Sequence, residues 1–224
     1  MLGVWLIGAI FVTCAFFYGL TLRTPSWFQS EARKASEMRR MAQRVENRLI
    51  TEAYRFRGGP TLEPDGSRRT GDNWRIRVTE EEATAWIAAK LGEWLANRDP
   101  PARIPPEISE LQAHFGSGRA WVAGLLDDRV YAVSTGFRAN EKGLWFSGAR
   151  AGIGSLAFPV SWGAMGFVGM DDSGVGGWVW RLLSGREPLL PGATIRLEDG
   201  RRVRVIAVRV LPGAIEAECR TEAP

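Results

Sequence analysis

The N-terminal stretch of residues 2–22 contains no charged side chain, and Arg23 follows it directly. About 20 helical residues cover the roughly 30 Å hydrocarbon core of a bilayer, and a backbone in lipid must satisfy its own hydrogen bonds, as a helix does. A long buried helix of a globular domain is the alternative, but such a helix normally has a polar face. The pattern therefore predicts a transmembrane anchor over residues 1–23 that contacts the lipid bilayer through residues 2–22.

The flanks of this stretch distinguish a cleaved signal peptide from a permanent anchor. A signal peptide has a basic start, about 7–15 apolar residues and a cleavage site of small residues. Nothing basic except the amino terminus precedes the run, and no Ala-x-Ala site follows it, which favours a single-pass membrane protein. Basic residues between Arg23 and Arg40 favour a cytoplasmic domain by the positive-inside rule, whereas the lipid-binding interpretation below favours an extracytoplasmic one, which we expect.

The rest of the chain has the composition of a globular domain, because 45% of all residues are hydrophobic and 24% are charged. The formal net charge is +4, but basic and acidic residues are interspersed. A nucleic-acid interface normally has a patch of one sign interleaved with aromatic residues, so no nucleic-acid partner is expected. Cys14 and Cys219 predict no disulfide, since one lies in the anchor and the other near the end.

A connecting helix is predicted over residues 24–57, because apolar residues recur there at helical spacing. These residues are Ala35, Met38, Ala42, Val45 and Leu49. A coiled-coil stalk is one interpretation of this pattern, but alanines at core positions make a weak coil, which favours a helix packed on its own domain. Residues 58–73 are rich in turn-forming residues and predict a loop.

Residues 74–224 predict the main domain. Residues 74–78 alternate as a strand, and Thr79 with Glu82 forms a capping box that begins a helix reaching Leu95. Tight turns separate a predicted antiparallel meander, and three more strands follow two short helices over residues 159–184. Arg202 and Arg204 share strand parity with Val208, which predicts a β-bulge near Val205 or Ile206. The meander strands are residues 119–125, 130–137 and 144–153, and the later strands are 194–198, 203–211 and 214–220.

Together these elements predict an α+β fold, with a transmembrane helix, an amphipathic connecting helix and a curved antiparallel sheet packed on helices. Catalytic combinations of side chains are missing from the sequence. His114 is the one histidine, and Cys219 has no second cysteine or histidine partner nearby in the sequence, which argues against zinc sites and Cys–His dyads. The glycine-rich residues 148–154 lack the Lys-Ser/Thr ending of a phosphate-binding loop. We therefore expect no enzyme activity, no cofactor and no metal.

Two segments carry a resemblance to a known family. The strand followed by Thr79-Glu80-Glu81-Glu82-Ala83-Thr84-Ala85-Trp86, and the meander ending in residues 151–159, resemble small bacterial single-pass envelope proteins of unknown function whose soluble domain is similar to the tubular lipid-binding (TULIP) superfamily. The resemblance implies a curved sheet around a long helix, with an apolar groove for lipid chains. The asparagine-rich helix start of that family is replaced here by Ala83-Thr84-Ala85.

A concave hydrocarbon site and a thick ordinary core would both explain a meander that is apolar on both faces. The predicted anchor favours bound lipid, in a groove between the meander and the helix of residues 80–95. Non-catalytic binding of lipid or another apolar ligand is thus the leading functional hypothesis. The alternative is a structural or assembly subunit of a membrane protein complex, whose domain docks a protein partner. The expected wall of the groove consists of Trp86, Ile87, Trp121, Tyr131 and Trp145.

Overall fold

The computed structural model describes residues 16, 18–29, 34–55, 73–97, 103–160 and 181–222. The described residues form mainly antiparallel sheet. They contain two helices, α1 (Ala35–Tyr54) and α2 (Glu80–Ala96), and ten strands. The strands are β1 (Asn73–Thr79), β2 (Ser109–Gly116), β3 (Arg119–Leu126), β4 (Arg129–Asn140), β5 (Gly143–Ile153), β6 (Leu156–Pro159), β7 (Leu190–Pro191), β8 (Thr194–Arg196), β9 (Arg202–Leu211) and β10 (Ala214–Glu222).

The strands form two sheets, which corrects the prediction of one curved sheet. The larger sheet has the order β2-β3-β4-β5-β6, with β7 also paired to β5, and the smaller sheet has the order β1-β10-β9-β8. Strands joined by short turns pair antiparallel. At the β3–β4 turn, Asp127 and Asp128 both have positive φ, 47° and 58°, as type I′ hairpin turns require. The pairing of β1 with β10 could not be predicted from such turns, because the two strands lie far apart in sequence.

The β-bulge predicted in β9 is confirmed. Glu218 of β10 pairs with Ala207, whereas Cys219 pairs with Val205, so Ile206 is the extra residue. The bulge lets Val203 and Val205 point into the core on one side of it while Val208 packs against that same core on the other side. Arg202 and Arg204 consequently lie on the outer face of the smaller sheet.

Two clusters of buried side chains hold the sheets and their neighbours together. The first lies between the smaller sheet and one end of the larger sheet, and contains Leu144, Ala193, Leu197, Val203, Val205 and Cys219. The second lies on one face of the larger sheet, where Phe28 packs against Ala123, Val130 and Ala132. Residues 24–29, which we call the strap, cross this face, and the backbone N–H of Gln29 donates to Oε1 of Gln112 at 3.1 Å.

The predicted transmembrane anchor requires correction. No helix within the described ranges is both long enough and apolar enough to cross a membrane, and of residues 2–22 only Phe16 and residues 18–22 are described. That described end contacts the domain, because Ser155 donates its backbone N–H to Leu20 O and its hydroxyl to Arg23 O, both at 3.0 Å. The absence of charge in residues 2–22 therefore does not by itself establish a spanning helix.

The predictions of a single-pass membrane protein and of an extracytoplasmic domain both required that anchor, so they are corrected together with it. The connecting helix is also shorter than predicted, since α1 begins at Ala35 and the strap before it is not helical. Its packing on α2 fits the preference for a helix that belongs to its own domain, with Ala42 and Val45 buried. Of the predicted loop over residues 58–73, residues 58–72 lie outside the described residues, and Asn73 belongs to β1. Most of the two predicted helices, residues 161–180, also lie outside the described residues.

Candidate functional site

Helix α2 is fixed at its first turn by the predicted capping box, which the structure confirms. The backbone N–H of Glu82 donates to Thr79 Oγ1 at 3.3 Å, and the Thr79 N–H donates to Glu82 Oε2 at 2.9 Å. The same Glu82 oxygen accepts from Arg48 of α1 at 2.8 Å, and Arg48 also donates to Arg77 O at 3.0 Å. This network ties the start of α2 to α1 and to β1, so the helix axis is set at that end.

Side chains from the first two turns of α2 form hydrogen bonds with backbone groups on the outer edge of β2. Thr84 Oγ1 accepts from Ala113 N at 3.0 Å and donates to Ala113 O at 3.3 Å. Glu80 Oε2 accepts from Phe115 N at 3.0 Å and lies 2.9 Å from His114 Nδ1. An edge strand otherwise presents unpaired backbone groups, so these contacts seal the edge over residues 113–115.

The beginning of β2 bends away from α2, and a groove lies between them. The pairing of β2 with β3 shifts register between Ser109 and Gln112, and Glu110 has a positive φ of 50°. A bulge of this kind bends a strand. Between the bent segment, the middle of α2 and the start of α1 lies an open cavity of about 540 Å³.

Most of the groove wall is apolar. Its apolar side chains come from all three elements: Ala35 and Met38 of α1, Ala88 and Ala89 of α2, and Ile108 and Leu111 at β2. Among the described residues, Arg39 and Glu110 are the ionisable groups in the lining. Small-molecule sites typically have volumes of about 300–1,000 Å³, with apolar walls and few polar groups, and the groove falls within that range.

A second depression of about 620 Å³ is less suited to a ligand. Its lining consists of Glu37, Arg40, Met41, Gln43, Arg44 and Asn47, all from α1. Among the described residues no other element supplies an opposing wall, so a molecule bound there would keep most of its surface in water. The groove between α1, α2 and β2 is therefore the stronger candidate.

Two of the five side chains predicted for the groove lie on α2 but outside its lining. Trp86 donates from Nε1 to Glu46 Oε1 of α1 at 3.0 Å, and its ring lies 6.4 Å from the ring of Trp94. Ile87 is half-buried on the same helix. Trp86 thus serves the packing of α2 on α1, while the groove opens on the side of α2 that carries Ala88 and Ala89.

The other three predicted residues are distributed over the larger sheet. Trp121 lies under the strap, 6.1 Å from Trp27 between ring centroids, and Trp27 stacks on His114 at 4.9 Å. Tyr131 lies on the opposite face, since Trp121 pairs with Ser134 and Tyr131 pairs with Gly124. Trp145 donates to Asn140 Oδ1 at 3.2 Å near the far end of β5.

The structure therefore does not bring the five predicted side chains together into one wall. A groove does lie between α2 and the first strand of the larger sheet, but small residues create it. Large aromatic side chains were predicted for the wall because they offer the most contact area. The useful signal was the pair of small residues on α2 that line the groove, Ala88 and Ala89, because small side chains leave room beside a helix.

Arg119 and Asp199 have shifted pKa values, and both lie outside the groove. Burial and the nearby charge of Arg150 lower the pKa of Arg119, which donates to Ser134 Oγ and Ser134 O at 3.1 Å each. The hydrogen bond from the Arg201 side chain lowers the pKa of Asp199.

No cluster of three or more His, Cys, Asp or Glu side chains suited to a metal occurs in the described ranges. The groove thus combines apolar surface with one arginine and one glutamate.

Comparison of the chain with protein-family models, curated proteins and solved structures found no match. The resemblance to the tubular lipid-binding superfamily accordingly stays a prediction.

Proposed function

We propose that this protein is a non-catalytic binding protein that holds the apolar chain of a small ligand, such as a fatty acid, in the groove between α1, α2 and β2. The observation that carries the proposal is a cavity of about 540 Å³ whose wall is built mainly from Ala, Met, Ile and Leu side chains. The wall is mainly apolar, with Arg39 and Glu110 as its ionisable groups, and it offers surface that water solvates poorly.

The size of the groove limits the expected affinity. Burying about six methylene groups at ~0.8 kcal/mol each gains ~5 kcal/mol. This corresponds to a dissociation constant of about 0.2 mM before ordering costs and polar contacts are considered. Short acyl chains should therefore bind weakly, and affinity should rise with chain length until the groove is filled.

Arg39 lies in the groove lining and makes no ion pair among the described residues. A guanidinium there can pair with a carboxylate head group while the chain lies on the alanines. This contact predicts a preference for fatty acids over uncharged fatty alcohols of equal length. Arg39→Ala should remove that preference and leave the binding of alcohols unchanged.

A fluorescent fatty acid titrated into the full chain tests the proposal. Ala88→Trp places a bulky ring in the groove and should weaken binding by about tenfold or more. Ala96→Trp is the matched control, because Ala96 is an exposed residue at the end of the same helix and outside the lining. Equal binding by the two variants, or no binding by the unmodified chain, would show that the groove holds no such ligand.

Protein docking stays a second candidate because three large apolar side chains are exposed on one face of the larger sheet. Val122, Tyr131 and Phe158 have relative exposures of 40%, 38% and 43%, and their strand registers put them on the same side. Contiguous apolar surface commonly marks a protein interface. Phe158→Lys should then dissociate an assembly seen by sedimentation velocity while fatty-acid binding in the groove persists.

A further inference from the structure

The outer face of the smaller sheet is rich in arginine. Its strands place seven arginines and three glutamates there, an excess of four positive charges, which equals the formal net charge of the whole chain. The arginines are Arg75, Arg77, Arg196, Arg202, Arg204, Arg209 and Arg220. This surface is separate from the groove and does not depend on the function proposed for it.

Four of these arginines form two like-charged pairs at one end of the sheet. Arg196 of β8 lies directly opposite Arg202 of β9, and Arg204 of β9 lies directly opposite Arg220 of β10. Side chains directly opposite on one face of an antiparallel sheet have Cβ atoms only about 4.5–5.5 Å apart, and like charges there are destabilising. The fold therefore carries an electrostatic cost at this place. We call these four residues the arginine cluster.

The neighbouring acidic groups compensate this charge only in part. Arg204 pairs with Glu222 at 2.6 Å, and Arg220 donates from Nε to the neutral side chain of Asn73 at 2.9 Å. In the part of the chain that the structure describes, Arg196 and Arg202 take part in no ion pair.

The nearby carboxylate of Asp199 is hydrogen-bonded to Arg201 and does not compensate the charge of the cluster. Its carboxylate accepts from Arg201 Nε at 2.8 Å, and this bond lowers the Asp199 pKa, so the group is charged but committed to Arg201. Four arginines and one paired glutamate leave the cluster with a local excess of three positive charges.

The rest of the face differs from the cluster because arginine and glutamate alternate there. Arg75 lies 3.8 Å from Glu216, and Arg209 lies 3.8 Å from Glu218. These pairs leave that area with an excess of one positive charge, so three of the four uncompensated charges of the face lie in the arginine cluster. A compact anion fits this distribution better than a long nucleic-acid strand, which would need a continuous basic surface.

We propose that the arginine cluster is a binding site for a compact oligophosphate group, such as a linked di- or triphosphate. Guanidinium groups bind phosphate oxygens through paired hydrogen bonds in a fixed fork geometry. A triphosphate carries about enough negative charge to neutralise the cluster, and it would remove the repulsion within both arginine pairs. The described strands place no aromatic side chain on this face, so the phosphates themselves are recognised and not an attached base.

Calorimetric titration of inorganic tripolyphosphate into the full chain at low salt tests this site. The double variant Arg196→Gln/Arg202→Gln should weaken binding by about tenfold or more. The matched control Arg75→Gln/Arg209→Gln removes equal charge from the ion-paired part of the same face and should bind within about threefold of the unmodified chain. Without ligand the cluster variant should also unfold at a higher temperature, because a like-charged pair has been removed.

Binding of ATP, citrate and a single nucleic-acid strand distinguishes an oligophosphate site from a general attraction of negative charge. ATP and tripolyphosphate should bind with similar affinity and lose it together in the cluster variant, while citrate should bind more weakly. Equal weakening of tripolyphosphate by both double variants would show diffuse charge attraction and overturn the site. Tighter binding of a single strand of about 20 nucleotides, lost equally in both variants, would assign the whole face to nucleic acid and also overturn it.

Discussion

The two halves of α2 differ in how closely the rest of the molecule approaches them. In the first half, Thr84 and Ala85 are buried, with relative exposures of 3% and 0%, and Thr84 bonds directly to the edge of β2. In the second half, Ala88 and Gly92 are exposed and the ion pairs of Lys90 are long, at 3.4 Å and 3.9 Å. Small residues on one helix therefore have opposite consequences. They allow close contact where β2 runs alongside, and they leave a groove where β2 bends away.

The largest expected effect comes from enlarging a small residue in each half. Ala85→Leu should lower the free energy of unfolding by about 3 kcal/mol or more, because Ala85 is fully buried and the added atoms have no space between α2 and its neighbours. Ala88→Leu should change it by less than about 0.5 kcal/mol, since that side chain projects into the groove. Urea unfolding of both variants measures the difference. Equal losses would mean that α2 is packed along its whole length.

A smaller effect is expected from the hydrogen bonds of Thr84. Thr84→Val keeps the shape of the side chain but leaves the backbone N–H and C=O of Ala113 without that partner. This should cost about 1–3 kcal/mol. Thr84→Ser retains the hydroxyl and should recover most of the loss, apart from the missing methyl group. If Val and Ser variants unfold at the same urea concentration, the seal on β2 does not depend on this hydroxyl.

The smallest effect, and one of opposite sign, is expected at Gly92. A Cβ added there would meet no heavy atom of the described chain within 4 Å, and glycine inside a helix is less stable than alanine by about 0.5–1 kcal/mol. Gly92→Ala should therefore raise the thermal midpoint slightly. A decrease would show that another part of the chain packs closely against the second half of α2.

The candidate site shows why prediction succeeded locally and failed globally. The capping box of Thr79 and Glu82 and the bulge at Ile206 were predictable, because each depends on residues a few positions apart. The wall of five predicted residues was not found, because Trp121 and Tyr131 point to opposite faces of one sheet and Trp86 packs toward α1. Strand parity was available from the sequence, but the face that other elements cover was not.

The sequence by itself determined most of the strands and the beginning of α2, since period, caps and turn residues act over short distances, but it did not indicate the short strands β6 and β7. Only the tertiary structure decided that the strands divide into two sheets, that β1 pairs with β10 and that the strap covers the face containing Ala123. It also decided that Arg196 stands opposite Arg202. These arrangements depend on contacts between distant residues, whose gain in burial has to exceed the entropy of closing the long loops between them.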